Sequence, residues 1–137
     1  MNEKNRIWSL SIVATLLLPF IFVAIQGASA RLIVPFLSVL SSYLDDRHAL
    51  VISTYTAGFF GSLAAAFFIL FPYGFFVESK PSFSGLLIGI IAVIELMLYT
   101  KVIVLSVFFE YLALVLFCQL AAILGYRTRA MVKGVAH

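Results

Sequence analysis

The stretch that decides the fold is residues 83–125, FSGLLIGIIAVIELMLYTKVIVLSVFFEYLALVLFCQLAAILG. As one helix, its roughly 43 residues would measure about 64 Å, twice the hydrocarbon thickness of a bilayer. The run must therefore fold back near its centre. It holds Glu95, Lys101 and Glu110 but no Gly or Pro at mid-run, so length and charge place the turn, at Thr100-Lys101. Two spans result, residues 83–100 and 102–125. Lys101 then sits at the water interface with its ammonium snorkelling outward.

Working outward, residues 7–26 and 48–71 are two further apolar runs of spanning length. Asp45 or Asp46 is placed to cap the second of these and to complement its N-terminal dipole. Pro72 and Gly74 are expected to end it, because proline lacks the N–H and clashes with the preceding turn. The composition agrees with a chain solvated by lipid: 64% hydrophobic, 11% charged and a mean hydropathy of +1.14, against about 25% charge in a soluble domain. The expectation is an all-α membrane protein, a single domain over residues 1–137 forming a four-transmembrane-helix bundle.

The lysines and arginines orient it. Lys4, Arg6, Lys80, Arg127, Arg129 and Lys133 fall on one side, and Arg31, Arg47 and Lys101 on the other. The positive-inside rule then puts both termini in the cytoplasm, in an inner membrane of the bacterial type. A competing reading takes Lys4 and Arg6, the first apolar run and Ala28-Ser29-Ala30 as a secretory signal with its cleavage site. The first run is longer than a usual signal core, and cleavage would leave the orientation of the other three spans unchanged.

Between the first two spans, residues 35–45 read as a short amphipathic interfacial helix with Pro35 at its first position. Phe36, Leu37, Leu40, Tyr43 and Leu44 form its apolar side, and Ser38, Ser41, Ser42 and Asp45 its polar side. Arg31, Asp46, Arg47 and Lys101 belong to the same interfacial layer. A partner on that side of the membrane would meet this helix first.

Helices in lipid associate through small residues and a few interhelical hydrogen bonds. Thr54, Gly58, Gly61, Ser62 and Ala65 form one small-residue face on the second span, and Gly85 and Gly89 make a GxxxG on the third. Ser11, Thr15, Pro19 and Gln26 share a stripe on the first. Each face suits packing inside the bundle or against another subunit.

Glu110 is the feature that asks for chemistry. Counted from a turn at Lys101 it lies about 13–14 Å in, close to the bilayer midplane. A carboxylate there costs at least about 2.5–3.5 kcal/mol, so it must face the bundle, find a donor or carry a proton. Ser106, one turn back, is a candidate partner, and Gln119 adds a polar group further along. Glu95 lies nearer the surface, within reach of Lys101.

Catalytic constellations are missing from the sequence. It has two histidines, His48 and the terminal His137, and a single cysteine, Cys118. There is no phosphate-binding glycine loop, nucleophile elbow or paired metal-ligand spacing. Asp45-Asp46-Arg47-His48 reads as a helix start, not a metal or phosphate site. The small, scattered net charge of +3 gives no reason to expect nucleic acid. The expected function is non-enzymatic and cofactor-free, working within the lipid bilayer by binding another membrane protein or a second copy. That makes it an accessory or assembly subunit, or an immunity-like protein. The alternative is a proton- or cation-coupled transporter or channel using Glu110 and Glu95.

Overall fold

The computed structural model describes residues 3–77, 81–100 and 105–135. Four long helices account for nearly all of them: α1 (Glu3–Leu40), α2 (Asp46–Phe76), α3 (Pro81–Thr100) and α4 (Leu105–Val135). Each contains an apolar window long enough to cross a bilayer, and four such helices fit an integral membrane protein. The long run does break at Thr100, and α4 resumes at Leu105. Lys101 lies outside the described residues.

Three helices run past the boundaries expected from proline and glycine. The chain shows no separate helix at 35–45. Residues 35–40 are the last turns of α1, and residues 41–43 form a turn leading to Asp45. Pro35 is therefore an interior residue, as Pro19 and Pro72 are. Each removes one backbone hydrogen bond without ending its helix, a loss that neighbouring helices and local adjustments absorb in spanning segments. The second helix continues through Pro72 and Gly74 to Phe76, and the fourth continues ten residues beyond Gly125. Ala28, Ser29 and Ala30 all lie within α1.

The caps of α2 have visible chemistry. Asp45 is the N-cap and accepts from the His48 backbone N–H at 3.1 Å, and the His48 ring Nδ1 closes on the same oxygen. These bonds hold the exposed Asp45 carboxyl below the usual carboxylate range. With the folded value depressed, the cap's contribution is complete above the ordinary aspartate range of about 3.9 and is lost as pH falls through the folded value. Amides of residues 46–48 are expected to lose hydrogen-exchange protection in Asp45→Ala, and in the native chain on acidification; unchanged exchange in the variant would rule out the cap. At the other end Arg6 of α1 donates to the Phe76 carbonyl at 3.4 Å, placing a cation on the C-terminus of α2.

Contacts fix the arrangement. Ser11 faces Tyr73, and Gln26 faces Gly61, so α1 and α2 are antiparallel. Gly58 faces Glu110 and Gly74 faces Ala122, so α2 and α4 run parallel. Gly85 meets Cys118 and Ala122, and Gly89 meets Val115, so α3 and α4 are antiparallel. Round the bundle the order is α1–α2–α4–α3, with α2 and α4 sharing the most extensive seam and α1 and α3 the slackest. The chain thus steps from α2 to α3 across a diagonal, and both termini lie at the same end.

The core is built from small side chains. Ala65, Ala66, Ala92, Ala121, Ala122 and Cys118 are fully buried between Leu18, Leu70 and Leu114. Lipid offers helices no hydrophobic drive to associate, so close backbone approach must supply the attraction, and only small residues permit it. Large apolar residues such as Phe20, Phe68 and Leu98 point outward and are more than two-thirds exposed.

Candidate functional site

The polar groups of the spans fall into three clusters, each explained by local packing. The first is a diagonal pair. Gln26 Nε2 of α1 donates to Glu110 Oε2 of α4 at 2.9 Å. Among the described residues the backbones of α1 and α4 do not approach each other, so the side chains alone bridge them.

The intervening helix makes the bridge possible. A methyl group on Gly58 would lie 2.4 Å from the Glu110 carboxyl carbon, and one on Gly61 would lie 3.4 Å from Gln26 Cγ. The two glycines form a ledge on which glutamate and glutamine lie side by side. Ser62 completes it: its buried hydroxyl donates to the Gly58 carbonyl at 2.7 Å and lies 3.4 Å from the Glu110 carbonyl. Gly58, Gly61, Ser62 and Ala65 are buried as a face, but Thr54 is not on it. Thr54 is exposed and bonds back to the Leu50 carbonyl at 2.8 Å, while the buried residue at that level is Ser53.

Glu110 lies nearer one end of the bundle than its middle. Gln26 is about 30 Å along α1 from Arg6, and Glu110 about 25 Å along α4 from Arg127, by helical rise. Glu110 also lies only about 8 Å from the start of α4 at Leu105. The pair therefore sits near the end of the bundle opposite the termini. It lies about one turn inside the level of the exposed Tyr55 and Tyr99, aromatic residues of the kind that mark membrane interfaces.

Two clefts reach Glu110. One, about 440 Å³, opens beside Tyr55, Thr56, Phe59, Phe60, Phe109 and Ala113. The other, about 210 Å³, is lined by Phe22, Val23, Gln26, Leu96, Val107 and Tyr111. Among the described residues neither lining contains a lysine, arginine, histidine, aspartate or second glutamate. Of Ser106 only the backbone is described, within α4.

Gln119 belongs to a second cluster. Its Nε2 donates to Ser82 of α3 at 2.9 Å, nine residues further along α4 and far from Glu110. The third cluster is Ser11 with Tyr73. Ser11 donates to the Ile7 carbonyl at 2.9 Å, so the Tyr73 hydroxyl is the donor in the 2.8 Å contact between them. Gly85 and Gly89 pack inside the bundle against α4, a methyl on Gly85 lying 2.9 Å from the Cys118 carbonyl.

Glu95 stands apart from all three. It lies half-buried in a groove of about 460 Å³ between α1 and α3, and makes no hydrogen bond or ion pair among the described residues. At the α1–α2 connection Arg31, Phe36, Tyr43, Asp45, Asp46 and Arg47 are exposed and Leu40 is half-buried. No group of three or more His, Cys, Asp or Glu side chains comes together among the described residues.

Gln26, Tyr73, Gly74, Ser82 and Gly125 are the positions that sequence reasoning left out of the site. Gly74 reads in sequence as a helix breaker and Gly125 as the edge of an apolar run, and the partners of polar groups depend on which helix faces which. No family model matches the chain, and neither characterised proteins nor solved structures give a match.

Proposed function

We propose that this protein is a non-enzymatic component of the membrane that acts by binding another membrane protein, as an accessory or assembly subunit or in an immunity-like role. The observation that carries the reading is the state of Glu110. Its carboxylate lies on a glycine ledge, holds a glutamine as donor, and has no other acid or base among the described residues of either adjoining cleft. A proton or cation path needs successive titratable or solvated groups, whereas this carboxylate ties α1 to α4. The working surface is then the outside of the bundle.

The basic residues Arg6, Arg127, Arg129 and Lys133 at the end carrying the termini support a topology with both termini in the cytoplasm, in a membrane of the bacterial inner type. The far end presents the α1–α2 connection, where residues 35–45 bear the exposed Phe36 and Tyr43 to the interface.

The test is purification from native membranes in a mild detergent, alongside reconstitution in liposomes. A defined partner at fixed stoichiometry is expected, with no pH-dependent flux. Recovery of the protomer or a homo-oligomer alone, with a flux that Glu110→Gln abolishes while helicity is retained, would overturn the reading in favour of a transporter.

A further inference from the structure

The α1–α3 seam differs from the others. It is the slackest of the four, and two grooves run end to end along it. One, about 400 Å³, starts at Ile7, Trp8 and Phe83; the other, about 460 Å³, ends at Ala24 and Tyr99, and the two share Leu16. Together they extend about 25 Å along α1, close to the thickness of the hydrocarbon core. The walls are mostly apolar, with Ser11, Thr15 and Ser84 among the lining of the first groove, and Glu95 lies half-buried in the second without a hydrogen bond or ion pair among the described residues. The neighbouring Phe20 and Tyr99 are strongly exposed.

A groove of that length matches a spanning helix, and the carboxylate at its end calls for a cation. We infer that the α1–α3 groove seats one transmembrane helix of a different membrane protein, whose lysine or arginine pairs with Glu95. The inference rests on the partner-binding reading and names the face and the chemistry of the partner. An acid within a span is costly when alone, and a basic residue on the incoming helix relieves that cost only in the docked state. Register follows as well. The cation must lie about 8 Å from the end of the incoming helix that aligns with Thr100, because Glu95 is five residues before that terminus.

A second copy of this chain fits less well. None of the described lysines and arginines shares the layer of Glu95. A lipid headgroup amine would reach Glu95 but leave the remaining length of the groove unused.

The experiment uses the full chain in phosphatidylcholine vesicles, with a fluorophore on a C-terminal tag, titrated with acceptor-labelled leucine–alanine peptides of about 20 residues. The peptides carry Lys, Leu or Glu at the aligned position. The Lys peptide is expected to bind about tenfold more tightly than the Leu peptide, the scale of a good polar contact between spanning helices. Glu95→Gln should reduce it to the level of the Leu peptide, and Glu95→Lys should transfer the preference to the Glu peptide. Because Glu95 has no partner among the described residues, these variants should keep native helicity.

Equal binding of Lys and Leu peptides would overturn the inference, as would displacement of the Lys peptide by phosphatidylethanolamine. Glu95-dependent energy transfer between two labelled copies that the peptide cannot compete away would replace the foreign helix by a homo-oligomer. If a native partner co-purifies equally with wild type and Glu95→Gln, partner binding stands and this groove is not its site.

Discussion

Replacing Gly125 or Gly74 with alanine is expected to destabilise the bundle by about 3 kcal/mol or more, at or beyond the upper end of ordinary overpacking. A methyl on Gly74 would lie 2.0 Å from the Ala122 carbonyl oxygen, and one on Gly125 would lie 2.1 Å from the Phe71 carbonyl oxygen and 2.9 Å from the Phe75 nitrogen. These are backbone atoms, so no rotamer change clears the space; α2 and α4 must separate along their largest seam. Gly58→Ala presses on a carboxylate that can swing aside, and should cost less. Gly27→Ala meets nothing within 4 Å, and should stabilise α1 by up to about 1 kcal/mol through helix propensity. Combining the two damaging changes should cost less than their sum, because a seam opened by one accommodates the other. SDS titration in mixed micelles, followed by circular dichroism, measures all four. A Gly125→Ala protein as resistant as wild type would mean that the α2–α4 approach is looser than described.

The same glycines show why part of the fold could be read beforehand and part could not. The turn near Thr100 was recoverable from length and charge, because bilayer thickness limits a spanning segment and a lysine favours its end. Pro35 was expected to start a helix, and Pro72 and Gly74 to end one, because in water they usually do. Among packed spanning helices a proline loses one hydrogen bond that its surroundings replace, and a glycine is where another backbone comes close. Gly58, Gly61, Gly85 and Gly89 were legible as packing residues from composition and spacing. Their partners were not, since spacing along one helix carries no information about which helix lies opposite. The 1–2–4–3 order is what brings Gln26 and Glu110 together across α2 and leaves Glu95 facing outward.

The diagonal pair yields the last prediction. Gln26→Met removes the donor and leaves the Glu110 carboxylate on its ledge without a partner, at an expected loss of about 1–2 kcal/mol. Glu110→Gln keeps an acceptor for Gln26 and should lose less. In the double variant Gln26→Met with Glu110→Met, both polar groups are gone, and unbranched side chains of similar reach lie against Gly61 and Gly58. Removing both partners from an apolar site is far milder than orphaning one, so the double variant should recover most of the stability lost by the single one. The cycle then reads a coupling of about 1–2 kcal/mol between helices whose backbones never meet. Losses that simply add would mean that Gln26 does not hold Glu110. That result would return the carboxylate to the transport reading, because a group held there without a structural partner needs a function of its own.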